Sequence, residues 1–181
     1  MNDYTRSFDI GTEGRTLTGL AFRWETPAKV RDPGVSPYLE EFARGSADKT
    51  IQEHPLVPVL RNHRLNEDPV GVAMFHRSAE GLVFTAPLSR TMAADETLEL
   101  VNDGAMRSVS VRFASFKDRR RATTEGPVVT RMEIGLRELS VVTTGFGQHP
   151  GAEVLAVRSD EGTPRLDAVR QRLILLQPVV Y

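Results

Sequence analysis

The sequence contains no cysteine. Disulfides, thiolate nucleophiles and cysteine-bound zinc are therefore excluded at once, and the chain suits a reducing compartment. No HExxH or comparable ligand spacing occurs, so zinc hydrolysis has no support and no metal or cofactor is expected. Long apolar runs are missing: none approaches the ~18 residues that a membrane-spanning helix needs. The opening segment, MNDYTRSFDIG, lacks a basic start followed by an apolar stretch, so no secretory signal is predicted. An excess of one charge is lacking too. With 23 basic and 24 acidic side chains the formal net charge is −1, too balanced for bulk attraction to nucleic acid or to an anionic membrane. Repeats and low-complexity tracts are absent. What remains is an ordinary globular mixture over 181 residues, 40% hydrophobic and 26% charged, enough for one domain that buries roughly 70% of its unfolded surface.

The punctuation of the chain predicts many short strands. Tyr4 to Ile10 and Thr16 to Trp24 alternate as strands, with Gly11 and Gly14 in a hairpin turn between them. Residues 25–37 hold Pro27, Pro33, Gly34 and Pro37 and read as a loop, and Tyr38 to Phe42 as a short strand or turn. Ser46 is a candidate N-cap for a helix over Ala47 to Glu53. The apolar run Leu56 to Leu60 continues to Asn62-His63 as a strand with a polar tip, and Pro58 places it at an edge or bulge. Val70 to Arg77 and Gly81 to Leu88 read as an antiparallel pair. Thr91 to Val101 is the clearest helix, with Met92, Leu98 and Val101 as its apolar stripe and Asp95 and Glu96 in its acidic early turns. Strands are predicted over Met106 to Phe116, Val128 to Ile134 and Leu136 to Thr143, with Lys117 to Arg121 as a charged hairpin tip. After Gly145 the pattern weakens; 159–164 reads as a linker and Leu166 to Leu176 has helical spacing. The sum is an α+β fold, a mostly antiparallel β-barrel or sheet with a few surrounding helices, over 1–158, followed by a linker and tail segment over 159–181.

Four histidines are present. His54 at a helix end, His76 at a charged strand end and His149 before Pro150 read as surface residues. His63 differs, because it closes an apolar strand, where a rigid element can hold the ring towards a cleft as a general base requires. In the strand around Ser110, the residues Arg107, Val109, Val111 and Phe113 share one face, and Ser108, Ser110 and Arg112 the other. The second face offers two hydroxyls and a cation, which suits either a nucleophile or a wet sheet surface. On the next strand Glu138 and Ser140 share a face. A carboxylate there serves either to orient an imidazole or to pair with a neighbouring arginine.

Taken in order, these segments resemble the prohead protease family of tailed phages, capsid-maturation serine proteases related in fold to the herpesvirus assembly proteases. The resemblance rests on Gly19-Leu20-Ala21-Phe22; on Glu40, Glu41 and Phe42 followed by Gly45 and Ser46; on Asn62-His63 and Gly71; on Glu80-Gly81-Leu82; on Gly104 through Phe113; and on Leu136 through Val142. It spans roughly residues 15–157. It implies a herpesvirus-protease-like fold and a serine endopeptidase with His63 as base, Ser110 as nucleophile and Glu138 as third member. Ser110 is preferred to Ser108 because it begins Ser-Val-x-Phe. The family has glycine where this chain has Arg112, which leaves open a catalytically inactive homologue acting as a capsid assembly or scaffold-binding protein. The resemblance further implies the major capsid protein and the scaffold protein as substrates, cleavage of the chain itself, a homodimer as in the herpesviral relatives, and action inside the viral procapsid in the host cytoplasm. Neither nucleic acid nor membrane is an expected partner. The tail reads equally as a scaffold-contacting or self-cleaved segment and as a helix docked on its own domain.

Overall fold

A computed structural model describes residues 14–30, 36–145, 149 and 151–159. Along these residues run β1 (Gly14–Arg23), β2 (Ala28–Val30), β3 (Tyr38–Phe42), α1 (Asp48–Glu53), β4 (Val57–Arg61), β5 (Gly71–Arg77), β6 (Gly81–Pro87), α2 (Met92–Asn102), β7 (Ser108–Thr123), β8 (Gly126–Val142) and β9 (Glu153–Ser159). Seven strands close a barrel in the order β8-β4-β5-β6-β1-β9-β7, and the long β7–β8 ladder completes the circle. Most ladders are antiparallel, as expected, but β8 runs parallel to both β3 and β4. The barrel is therefore mixed.

β8 organises this arrangement because it is longer than the barrel. Its end near Val142 pairs with β4 through Leu139–Val141, while its start pairs with β3 through Val128–Arg131. Between those two ladders the same edge of β8 has no strand neighbour, and its amides and carbonyls need other partners. Helix α1 and the turn before it supply them. The Thr50 hydroxyl donates to the Ile134 carbonyl (3.0 Å) and accepts from the Leu136 N–H (3.1 Å), and the Ile134 N–H reaches the Ser46 carbonyl (2.8 Å).

The core is built from alternating strand residues. Leu17, Phe22, Val59, Leu82, Phe84, Val109, Ile134 and Leu139 are fully buried, and burying a side chain of this kind contributes about 1.5–3 kcal/mol. Phe22 stacks on Phe42 with ring centroids 3.9 Å apart, which ties β3 to the barrel. Helix α2 adds Ala94, Leu98 and Val101 to the same cluster, and the Thr91 hydroxyl caps its first turn by accepting the Ala94 N–H.

Several sequence expectations need correction. Met92 is 84% exposed: it stands about 200° round the helix from Ala94, outside the stripe that Ala94, Leu98 and Val101 define. Ser46 does not cap α1. The helix starts at Asp48 after Ala47, without a side-chain cap, and the Ser46 main chain is spent on β8 instead. The strands expected over 128–134 and 136–143 are one strand, because Gly135 lies under the Phe116 ring and continues the ladder. Lys117 to Arg121 is strand rather than hairpin tip; the turn falls at Thr124 and Glu125, where Gly126 takes a φ of 120°. Residues 28–30 within the expected loop form β2, held by β3. β9 appears where the pattern had weakened, because β1 offers it a full-length partner. Pro58 sits inside the barrel wall, yet loses no ladder bond to β8, whose pairing with β4 begins only at Val59. The strand expected over Tyr4 to Ile10 and the segment Leu166 to Leu176 lie outside the described residues, as does the linker after Ser159.

Candidate active site

His63 owes its position to an unusual turn. β4 ends at Arg61, and the next two residues both take positive φ, Asn62 at 46° and His63 at 57°. With the Arg64 N–H bonded to the Arg61 carbonyl at 3.0 Å, this is the pattern of a type I′ turn. Left-handed backbone costs an L-residue about 1–2 kcal/mol and persists where neighbours over-determine it. Three hydrogen bonds to the β8 end do so here. The Asn62 N–H donates to the Val141 carbonyl (3.0 Å), the Asn62 side-chain oxygen accepts the Thr143 N–H (3.2 Å), and the His63 N–H donates to the Ser140 hydroxyl (3.1 Å).

The turn lays the imidazole against β8, where Nδ1 meets Oε1 of Glu138 in a short hydrogen bond. The Glu138 side chain is 2% exposed and that of His63 41%. The carboxylate thus faces the ring from inside the protein, and Nε2 is left as the nitrogen for an incoming group. Oε1 also takes a long bond from the Ser140 hydroxyl, 3.4 Å, while Oε2 is buried and makes no hydrogen bond among the described residues.

Ser110 lies on the other side of β8. The register sets it directly opposite Ser140, with Ser108 opposite Val142 and Arg112 opposite Glu138. Directly paired residues project to one face, their Cα atoms about 4.5–5.5 Å apart. Ser110 therefore borders the serine that holds the His63 main chain. The two hydroxyls of this face differ in availability. Ser108 accepts the Gly145 N–H at 3.0 Å and so secures the segment after β8. The Ser110 hydroxyl makes no hydrogen bond among the described residues, to His63 included, a common state of catalytic pairs before substrate tightens them. Of the three residues singled out in the sequence, His63 and Glu138 are in contact and Ser110 is one strand away, across Ser140.

The other histidines divide. His54 ends α1 with its N–H on the Thr50 carbonyl, and His76 is an exposed residue of β5; both have the surface roles expected of them. His149 does not. Its side chain is 10% exposed, its Nε2 lies 3.1 Å from Oε2 of the buried Glu40, and its ring sits 4.9 Å from that of Phe42. Glu40 also receives Arg131, which in turn reaches Asp118 and the Tyr38 hydroxyl. Burial pushes the Glu40 carboxyl up, but the His149 hydrogen bond and the Arg131 guanidinium together outweigh it and hold the group below its ordinary value. No local pattern marks this network, since its members lie on β3, β7, β8 and the segment after β8. Beside it, a groove of about 330 Å³ follows β7 from Val111 to Ser115, just beyond Ser110, lined by Tyr38, Val111, Arg112, Phe113 and Arg131 among others.

Residues 3–163 of the chain match the family model described as caudovirus prohead serine protease. Among solved structures, the chain is similar to the KSHV protease crystallised with a hexapeptide phosphonate inhibitor, at 12% identity and a TM-score of 0.48. The similarity covers 78% of this chain and 64% of that one, so the chain spans less than two thirds of that protease's length. No curated protein sequence matches it.

Proposed function

Since the chain belongs to the caudovirus prohead serine protease family, we propose that it is an endopeptidase in which Ser110 is the nucleophile, His63 the general base and Glu138 the group that orients the base. The observation that carries this reading is the His63–Glu138 pair, held by a strained turn against β8, the strand that pairs on its other edge with the strand bearing Ser110. In the first half-reaction Ser110 Oγ attacks the scissile carbonyl carbon and Nε2 of His63 takes the hydroxyl proton. The developing imidazolium is stabilised by Glu138 through Nδ1, and backbone amides hold the oxyanion. Collapse of the tetrahedral intermediate breaks the C–N bond, and Nε2 returns the proton to the leaving amine. Water, deprotonated by the same nitrogen, then attacks the acyl-enzyme; the second tetrahedral intermediate collapses with cleavage of the C–Oγ bond, Nε2 returns its proton to Oγ, and the acid leaves with Ser110 and His63 restored. The groove beyond Ser110, lined by Tyr38 and Phe113 with the Arg131 guanidinium over both rings, is the site proposed for a substrate side chain.

The substrates in this reading are the major capsid protein and the scaffold protein, cut inside the procapsid, with cleavage of the chain itself as a further event and a homodimer as the working assembly. Co-expression with the capsid protein tests the reading. Wild-type protein should shorten the capsid protein and Ser110→Ala should leave it intact; capsid cleavage that continues unchanged in Ser110→Ala removes Ser110 as nucleophile. One feature favours an inactive assembly factor instead: Arg112 stands opposite Glu138 where the family pattern has glycine. In that case wild-type and Ser110→Ala proteins both leave the capsid protein uncut, while both still bind scaffold.

A further inference from the structure

We infer that Ser140 is a positioning residue that locks the proposed base into place through both its main chain and its ring. The inference rests on the reading of His63 and Glu138 given above and adds a residue to it. Ser140 is completely buried, lies directly opposite Ser110 in the β7–β8 ladder and opposite Leu60 in the β4–β8 ladder. Its hydroxyl is used in both senses. As acceptor it takes the His63 N–H at 3.1 Å, and as donor it reaches Glu138 Oε1 at 3.4 Å, the oxygen that holds the His63 ring.

One hydroxyl thus fixes the backbone of a residue at φ 57° and the carboxylate that aims its side chain. Alanine at 140 would leave the His63 N–H without its acceptor, in a turn that costs energy to hold. It would also leave Glu138 with His63 as its single remaining partner, because Oε2 already has none among the described residues. A buried carboxylate with that little support tolerates several orientations, and the ring it aims follows it. Ser140 itself lies behind the pair, so its loss should act on the rate of the chemical step and not on substrate binding.

The test uses the full chain and four variants, with kcat normalised by active-site titration with a fluorophosphonate so that only competent enzyme is counted. Ser140→Ala should lower kcat about 10- to 100-fold, since misplacing a reacting group by about 1 Å can cost about 10²-fold, with KM within about twofold of wild type. Ser140→Thr, which keeps the hydroxyl, should recover most of that rate relative to Ser140→Val, which has the same shape without it. The low-field Nδ1 proton resonance of the His63–Glu138 bond should be sharp in wild type and broadened or lost in Ser140→Ala at a temperature where that variant is still fully folded. A normalised kcat in Ser140→Ala within twofold of wild type, equal rates in the threonine and valine variants, or an unaltered resonance each overturns the inference. Ser110→Ala separates it from the reading beneath it: if that variant still cleaves, the assignment of the nucleophile fails, while the resonance continues to report whether Ser140 positions the ring.

Discussion

Among the described residues histidine meets a buried carboxylate twice, and the two pairs differ in what their surroundings leave open. In the His149–Glu40 pair both side chains are enclosed, 10% and 5% exposed, and every neighbour adds a constraint. Arg131 binds the same carboxylate, Tyr38 and Asp118 hold Arg131, and Phe42 packs on the imidazole. In the His63–Glu138 pair the carboxylate is equally deep but the imidazole is 41% exposed, and among the described residues no arginine neutralises the acid and one carboxylate oxygen is left unpartnered. A fully compensated pair has nothing left to give to a reaction. A pair with an open ring and an undersatisfied acid can change its charge as a proton arrives, because the acid stabilises an imidazolium better than it stabilises anything in the resting state.

The largest effect should separate the pairs by function. Glu138→Gln keeps the shape of the acid but removes its charge and offers the ring the wrong hydrogen-bonding partner, so kcat should fall about 10²- to 10⁴-fold, as for orienting carboxylates in serine hydrolases. Its melting temperature should stay near that of wild type. Glu40→Gln should do the reverse in kind, with kcat held within a few-fold and the fold weakened. Steady-state kinetics and thermal melts on both variants decide the matter; a stability loss in Glu138→Gln larger than that in Glu40→Gln would erase the distinction between the pairs.

The size of the second effect follows from what Glu40 leaves behind. Without its charge, Arg131, 14% exposed at the side chain, loses its shortest ion pair and keeps Asp118 and the Tyr38 hydroxyl. Removing one member of an enclosed pair costs up to 3–5 kcal/mol, and the remaining partners should cut that to about 2–3 kcal/mol here. For a chain of this size that is a drop in melting temperature of roughly 5–10 °C. Chemical denaturation at neutral pH checks it.

A smaller and more specific effect lies in the pH dependence. The Glu40 carboxyl is held below its ordinary value of 4.5 in the folded protein. A group of that kind stabilises the fold above its unfolded value and loses the contribution as pH falls through the folded one. The stability gap between wild type and Glu40→Gln should therefore be widest near neutrality and close as the solution is taken below pH 4.5. Denaturant melts at successive pH values measure the gap; a gap that stays constant to low pH would mean that the carboxylate charge contributes nothing.

How the two pairs were encoded explains how much of each was legible. His63 closes an apolar run, Ser110 alternates with buried valines, and Glu138 and Ser140 sit two apart on one strand, so the members of the open pair each lie where a local pattern marks them. The closed pair has no such mark. Glu40 is one of two adjacent acids in β3, and His149 stands alone after the last clear strand; only the return of the segment after β8 onto Phe42 brings them together. Most strands were visible as alternation, and the misplaced boundaries share one cause. Gly135 reads as a break because glycine usually interrupts a strand, whereas here it makes room for the Phe116 ring. Met92 reads as part of an apolar stripe whose true phase is set by Ala94, a residue too small to stand out. The left-handed backbone at Asn62 and His63 had no sequence signal stronger than the asparagine itself.

Arg112 gives the finest test of the comparison, because it is a charge beside the open pair that takes no part in it. It pairs in register with Glu138 yet is exposed and makes no ion pair among the described residues. His63 occupies Oε1, and Oε2 is turned into the protein. An exposed guanidinium that makes no bond to the acid keeps its hydration and contributes little to the pair. Arg112→Gly should accordingly change kcat by no more than about twofold, with any further loss confined to KM through the groove that Arg112 lines. Were kcat to fall tenfold or more with KM unchanged, Arg112 would belong to the transition state, and the openness of the His63–Glu138 pair would be the space into which that guanidinium moves.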